Sequence, residues 1–104
     1  MSRRAKIEQM LADEPHDVFL RYSLAMEQAK EGLHAESLAG LDNLTKDETP
    51  YVPAFFMAAQ QLAQLQRVDE ARDYLRRGID VARGQGNGHA AGEMSEFLAS
   101  LGTA

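Results

Sequence analysis

The sequence contains no cysteine and no tryptophan among its 104 residues. Without cysteine the chain cannot form a disulfide, a thiolate zinc site or an iron–sulfur cluster, and it has no cysteine nucleophile. Positive charge is also scarce, because 11 Lys and Arg residues stand against 16 Asp and Glu, which makes the net charge −5. Nucleic acids and acidic membranes bind basic surfaces. The composition therefore predicts neither nucleic acid nor membrane as a partner.

Long hydrophobic runs are missing as well. No uncharged apolar run approaches the roughly 18 residues of a membrane span. The chain starts with the basic pair Arg3 and Arg4 but no apolar stretch follows, which is not the pattern of a secretory signal. We therefore predict a cytoplasmic protein. A hydrophobic fraction of 44% and a charged fraction of 26% are ordinary for one folded domain.

Residues that favour strands are few. Valine, isoleucine and threonine together number nine, against 16 alanines and 12 leucines. Helices favour alanine and leucine, and no run alternates cleanly between apolar and polar residues, so we predict an all-α fold. Proline and glycine positions divide the chain into six predicted helices. They span about Ser2–Ala12, His16–Glu31, His34–Lys46, Pro50–Gln66, Val68–Gly84 and Gly88–Leu101.

The short connections predict how these helices associate. Helices two and three, and helices four and five, are joined by only a few residues, which favours antiparallel hairpins. We predict one domain over residues 1–104, with an N-terminal helix (1–14), two hairpins (16–48 and 50–85) and a C-terminal capping helix (88–102). The last helix is predicted to pack on the rest, because its apolar stripe would otherwise lie in water.

The two hairpins resemble each other in sequence. One constant shift along the chain aligns residues of the two hairpins, in the pairs Tyr22 and Phe56, Leu24 and Ala58, Ala25 and Ala59, Glu36 and Glu70, and Leu41 and Leu75. This repeat period of about 34 residues, filled by one helical hairpin, resembles the tetratricopeptide repeat. In the second copy, Phe55 stands where that family has tryptophan, and Asp69, Glu70 and Ala71 reproduce its opening of the second helix. The first copy departs further, with Arg21, Gln28 and Ser37 at the tryptophan, tyrosine and small-alanine positions.

The resemblance implies a fold and a way of binding. Tetratricopeptide hairpins stack as a short right-handed superhelix with capping helices, and the first helix of each hairpin lines a concave groove for a peptide or helix. In such a hairpin, Ala59 and Ala71 lie where the helices cross closely, and Leu75 fills the space around the crossing and is buried. The alternative is an unrelated helical bundle in which the regular spacing is accidental.

The resemblance also implies which residues face the groove. Matched residue by residue, they are Phe19, Tyr22, Met26, Ala29 and Lys30 from the first hairpin, and Pro53, Phe56, Gln60, Ala63 and Gln64 from the second. Family members that clamp chaperone C-termini use lysine, arginine and asparagine at these positions. Here Lys30 is the only cation, so we predict a ligand held mainly by apolar contact. The alternative is that the terminal helices cover Phe19 and Met26.

The sequence shows no arrangement of catalytic residues. His16, His34 and His89 are predicted to be solvated, and none has a partner at metal-ligand spacing. The glycines between 84 and 88 lack the preceding strand and the lysine of a phosphate loop, so they indicate a turn. No enzyme activity, cofactor or metal is therefore predicted. Arginines at 72, 76, 77 and 83 of the fifth helix are predicted to form ion pairs on a solvated face, or alternatively a phosphate or acidic-peptide site.

These observations favour a non-catalytic protein–protein interaction module that binds a peptide or helix in its concave groove. Two hairpins bury little surface, and repeat arrays usually need about three units. The alternative function is therefore a structural self-association module that forms a homodimer through exposed apolar helix faces. The molecular mass in solution distinguishes the two.

Overall fold

The structure is a computed structural model that describes residues 2–102. This part of the chain contains six helices and no strand. The helices are α1 (Arg3–Asp13), α2 (Val18–Lys30), α3 (His34–Thr45), α4 (Val52–Gln64), α5 (Val68–Gly84) and α6 (Gly88–Ser100). The all-α prediction is confirmed, and each helix begins and ends within two residues of its predicted bounds.

Local side chains fix where several helices begin. Ser2, Asp17 and Asn87 each accept a hydrogen bond from the backbone N–H three residues further on, at 2.8–3.1 Å. Such N-caps satisfy donors that have no partner inside the helix. The starts of α1, α2 and α6 are therefore set by residues that are adjacent in sequence.

The helix bounds recur at the spacing of the sequence repeat. Helix α4 (Val52–Gln64) has the same length as α2 (Val18–Lys30), and the shift that places Tyr22 on Phe56 also places the start of α2 on the start of α4. The same shift places the start of α3 on the start of α5. Each consecutive pair packs together, α2 on α3 and α4 on α5, and α3 packs on α4. The structure is thus a stack of helical hairpins, as the resemblance predicted.

The turn inside each hairpin repeats as well. Gly32 and Gln66 both have left-handed backbones, with φ of 79° and 62°. The N–H of the next residue, Leu33 or Arg67, donates to a carbonyl five residues earlier at 2.8 Å. This is the Schellman ending of a helix, in which glycine is the favoured left-handed residue. The first hairpin has that glycine, and the second has glutamine instead.

We expect Gln66→Gly to raise the free energy of unfolding by about 0.5–1 kcal/mol, because glycine adopts positive φ without a steric penalty. Gly32→Ala is the matched opposite change. A Cβ at Gly32 would meet no atom within 4 Å, so its expected loss of about 1 kcal/mol reports backbone strain alone. Urea unfolding curves of both variants test the pair. A lower stability for Gln66→Gly would contradict this account of the turn.

The core lies mainly between α4, α5 and α6. Its buried members are Val52, Phe55, Ala59, Leu62, Ala71, Leu75, Ile79, Ala82, Ala91 and Met94. Ala25, Leu41, Leu44, Ala54 and Ala58 form a smaller cluster between α2, α3 and α4. Leu75 is fully buried, as predicted, and so are the small residues Ala59 and Ala71. The second hairpin therefore carries most of the apolar burial.

At Gly78, α5 packs tightly against both α4 and α6. A Cβ built there would lie 2.6 Å from Phe55 Cβ on α4 and 2.7 Å from Met94 Sδ on α6. Real Cβ atoms are not found at such distances. The absence of a side chain at Gly78 therefore lets α5 pack between α4 and α6.

Arg72 ties the end of α6 to α5. Its Nη2 donates to the carbonyls of Leu101 and Gly102 at 3.2 Å each, and its Nη1 donates to Asp69 at 2.9 Å. A cation at the C-terminal end of a helix is favourable because the last carbonyls carry partial negative charge. Arg72 is only 8% exposed. The prediction that it belongs to a solvated face is therefore wrong.

A chain of polar side chains links α2, α3 and α4. Ser37 Oγ donates to the carbonyl of Ala25 at 2.7 Å and accepts from Gln61 Nε2 at 3.1 Å. Gln61 Oε1 pairs with Nδ1 of His34. Because Ser37 and Gln61 are buried, these bonds avoid the penalty of an unsatisfied polar group. His34 is partly buried, so the prediction that it is solvated is wrong, whereas His16 and His89 are exposed as predicted.

Candidate functional site

The predicted groove residues lie on α2 and α4, the first helices of the two hairpins. Phe19, Lys30, Pro53 and Gln64 are exposed. The remaining six are partly buried, namely Tyr22, Met26, Ala29, Phe56, Gln60 and Ala63. No residue of the predicted set is fully buried, so all ten retain some surface.

On α4 the predicted residues meet α6. The rings of Phe56 and Phe97 pack with centroids 5.7 Å apart and planes tilted by 54°. Two open depressions share Phe97. One, of about 310 Å³, is lined by Phe56, Glu93, Glu96, Phe97 and Ser100. The other, of about 490 Å³, is lined by Gln60, Ala63, Gln64, Phe97 and Leu101. The structure thus brings Phe56, Gln60, Ala63 and Gln64 together beside an aromatic residue of α6.

On α2 the aromatic residue of the set packs against the start of α4. The rings of Tyr22 and Tyr51 meet edge to face, with centroids 5.3 Å apart. Burial raises the pKa of the Tyr22 hydroxyl, and the neighbouring Tyr51 raises it further. The hydroxyl therefore stays protonated at neutral pH and keeps both a donor and an acceptor.

The cation of the set is engaged within α2. Lys30 Nζ lies 3.4 Å from Glu27, which also lies 3.1 Å from the guanidinium of Arg3 on α1. A ligand carboxylate at Lys30 would have to compete with Glu27. This arrangement agrees with the expectation that the groove is not a carboxylate clamp.

Phe19 lines a different depression from the groove residues of α4. The Phe19 side chain lies at the edge between α1 and α2. There it lines a depression of about 370 Å³ together with Met10, Asp13, Glu14, Asp17 and Leu20. It is 70% exposed. The alternative in which a terminal helix covers Phe19 therefore does not hold, and neither of the depressions that share Phe97 includes this residue.

Sequence reasoning missed the contribution of α6. Phe97 was assigned only to a capping stripe, and Glu93, Glu96 and Ser100 were assigned no role. Helices α4 and α6 have the same length, and aligning their first residues, Val52 and Gly88, requires a shift slightly longer than the repeat period. The reason is that α5 is longer than α3 by more residues than the connection that follows it is shorter.

Two of the four arginines of α5, Arg72 and Arg77, are engaged by neighbouring carboxylates. Arg77 Nε donates to Asp73, four residues earlier, at 2.9 Å, and Arg67, just before α5, pairs with Glu70 at 2.7 Å. The guanidinium of Arg77 also lies 4.5 Å from the centroid of the Tyr74 ring. These contacts account for Arg67 and Arg77 without an anionic ligand.

Tyr74 connects this face of α5 to α3. Its hydroxyl donates to Asp42 Oδ1 at 2.7 Å, and Lys46 pairs with the same carboxylate at 2.7 Å. Burial, together with the hydrogen bond to Asp42, raises the pKa of Tyr74 to about 12. The hydrogen bonds from Lys46 and then Tyr74 lower the pKa of Asp42. The cluster therefore holds α3 and α5 together with Asp42 ionised and Tyr74 neutral.

Among residues 2–102, no three His, Asp or Glu side chains lie close enough to hold a metal ion together. None of the helices in that range combines the length and the apolar character needed to cross a membrane.

Comparison with solved structures identifies the family. A solution NMR structure of a tetratricopeptide repeat domain protein from Salinibacter ruber is 30% identical to this chain, with a TM-score of 0.79. The match covers 85% of this chain and 89% of that one. The chain belongs to the tetratricopeptide repeat family. A crystal structure of the tetratricopeptide repeat domain protein from the same organism matches at 29% identity and a TM-score of 0.73, over 83% and 96% of the two chains.

No family model matches the sequence, and no curated protein does. Members of the tetratricopeptide repeat family are in general protein-interaction modules and are typically non-catalytic. In this tetratricopeptide repeat protein, α2 and α3 form one repeat, and α4 and α5 form the next. The starts of α2 and α4 are separated by the same number of residues as the starts of α3 and α5.

Proposed function

We propose that this chain is a non-catalytic interaction module that binds a peptide or helix of another protein along α2, α4 and α6. The observation that carries the proposal is the set of incompletely buried aromatic rings on these first helices. Tyr22 and Phe56 occupy equivalent positions in the two repeats, and the ring of Phe97 on α6 packs against that of Phe56. Aromatic residues of this kind are frequent anchors of protein interfaces.

The chemistry of the surface suits a segment with apolar side chains. Met26 supplies a flexible thioether, which adapts to irregular apolar partners. Gln60 and Gln64 supply amides that can donate to and accept from a bound backbone. Glu93 and Glu96 make the α6 side acidic, so the segment should carry no carboxylate there. The engagement of Lys30 by Glu27 further disfavours an acidic ligand.

We expect Tyr22→Ala and Phe56→Ala each to weaken binding of a captured peptide by about thirtyfold, which corresponds to about 2 kcal/mol for an aromatic anchor. The peptide is first selected from a displayed library on the wild-type protein. Binding is then measured by calorimetric titration of both variants. Stability should fall less than for a fully buried core residue, because these rings are only partly buried.

Arg83→Ala is the control for this experiment, because Arg83 is exposed near the end of α5 and lines none of the depressions described. Its affinity should equal that of the wild type. Placing a photo-crosslinking residue at Gln60 should join the protein to the peptide, and the same residue at Arg83 should not. Unchanged affinity in both aromatic variants would move the binding surface away from α2 and α4.

The alternative proposal is a homodimer. A measurement of the molecular mass in solution distinguishes it from a monomer. Within residues 2–102, the large hydrophobic side chains that are exposed are Met10 and Phe19. Carboxylates surround them, so a symmetric pair at this edge would bring like charges together. We therefore favour a monomer that binds another protein in the cytoplasm.

A further inference from the structure

The edge between α1 and α2 presents an apolar patch that the proposed groove does not use. Phe19 is 70% exposed and Met10 is 48% exposed, and both line the same depression with Leu20. Single exposed hydrophobic residues are common on soluble proteins. Among residues 2–102, the exposed large hydrophobic side chains are these two, and they line one depression, so they are not scattered singly.

Three carboxylates surround this patch. Asp13, Glu14 and Asp17 line the same depression, and no Lys or Arg lines it. Asp17 uses one oxygen to cap α2, through the N–H of Leu20 at 2.8 Å. Within residues 2–102, none of the three carboxylates forms an ion pair. The patch therefore has an unbalanced negative rim.

The charges at this end of α1 are unfavourable for the helix itself. Asp13 is the last residue of α1 and Glu14 is its C-cap, where the helix dipole is negative and cations are stabilising. At the other end, Arg3 and Arg4 lie at the positive pole, but they pair with Glu27 of α2 and with Glu31, its C-cap, at 3.1 and 2.8 Å. The basic end is thus explained by contacts within the chain, and the acidic end is not.

We infer that this edge, defined by Met10, Asp13, Glu14, Asp17, Phe19 and Leu20, is a second docking surface, for a protein segment that has large apolar side chains flanked by lysine or arginine. The apolar side chain covers Phe19 and Met10. The flanking cations pair with Asp13 and Glu14 and relieve their repulsion with the end of α1. A symmetric pair of this chain does not fit the surface, because the same carboxylates would face each other.

The test uses a short synthetic amphipathic helix of leucine and lysine as the probe, with each lysine replaced by glutamate in the control peptide. Amide chemical shifts of the full chain are followed by NMR during the titration. We expect the lysine peptide to shift residues around Met10 and Phe19, and the glutamate peptide to leave them unchanged. Added salt should weaken the lysine complex, because screening acts on the exposed carboxylates.

Variants separate this surface from the proposed groove. Phe19→Ser should weaken the lysine peptide by about tenfold or more while the chain stays folded, since the ring is mostly exposed. The double change Asp13→Asn and Glu14→Gln should weaken it and reduce its salt dependence. Phe56→Ala, which tests the groove, should leave it unchanged.

Five outcomes would overturn the inference. The first four are absence of binding, equal binding of the glutamate peptide, shifts confined to α4 and α6, and self-association that Phe19→Ser abolishes. The fourth result would assign the patch to a second copy of the chain. Loss of binding in Phe56→Ala with the edge variants unaffected would also overturn it, and would leave the proposed groove standing.

Discussion

Replacing Leu75 with alanine should lower the free energy of unfolding by about 2–5 kcal/mol, the range for a truncated core leucine. Leu75 has no exposed surface and belongs to the core cluster that α4, α5 and α6 share. The lost side chain leaves a cavity whose lining residues lose contacts that water does not replace. A domain of this size has only about 5–15 kcal/mol of stability, so the variant should be near its unfolding transition at moderate temperature.

Chemical unfolding followed by circular dichroism measures this loss. Leu65→Ala is the control, because Leu65 is only partly buried at the end of α4 and its truncation should lower the stability less. A loss below about 0.5 kcal/mol for Leu75→Ala would mean that the core between α4 and α5 is not packed as described.

Replacing Gly78 with alanine should destabilise the protein by about 1–3 kcal/mol, even though alanine is the better helix former by about 1 kcal/mol. The new methyl group would lie 2.6 Å from Phe55 Cβ. That atom is bonded directly to the backbone of α4, so it cannot move away unless the helix moves. Met94 Sδ, at 2.7 Å, belongs to a flexible side chain but is itself fully buried. Overpacking therefore outweighs the gain in helix propensity.

Gly92→Ala is the matched control for Gly78→Ala. Gly92 lies inside α6, and a Cβ there would meet no atom within 4 Å. Here helix propensity acts alone, and the stability should rise by up to about 1 kcal/mol. Melting temperatures of both variants should therefore shift in opposite directions. Equal gains would show that α5 is not held closely between α4 and α6.

The proposed groove and the proposed edge surface both include residues of α2, but they depend on different side chains and can be tested separately. The groove depends on Tyr22 and Phe56, which are partly buried, and on α6. The edge depends on Phe19, which is mostly exposed, and on the end of α1. A protein that uses both surfaces could hold two segments at once, and the variants described above would remove each one independently.

The sequence by itself determined the helices and their period. Proline, glycine and capping residues act on the backbone within a few positions, so the six helices could be located from local signals. The regular spacing of the repeat then predicted the hairpins, because equal helices joined by equal turns must pack alike. The burial of Leu75 followed from the same apolar spacing, since one face of an amphipathic helix turns toward the core.

Only the tertiary structure decided which distant residues meet. Arg72 lies on a helix with several arginines, and it is buried because the end of α6 brings two carbonyls to it. His34 and Ser37 carry no distinctive sequence signal, yet the buried Gln61 of the next repeat joins them in one hydrogen-bonded chain. Such contacts depend on the stacking of whole helices, which no local pattern encodes.

For the two proposed binding surfaces too, some features follow from the sequence and others from tertiary packing. The periodic positions of Tyr22 and Phe56 were predictable because they repeat, whereas the place of Phe97 beside Phe56 depends on how the longer α5 positions α6. Phe19 shares the helix face expected of the groove, but the packing of α1 on α2 surrounds it with Met10 and three carboxylates instead. Periodicity specifies which face of a helix a residue occupies, and the neighbouring helix decides what that face contacts.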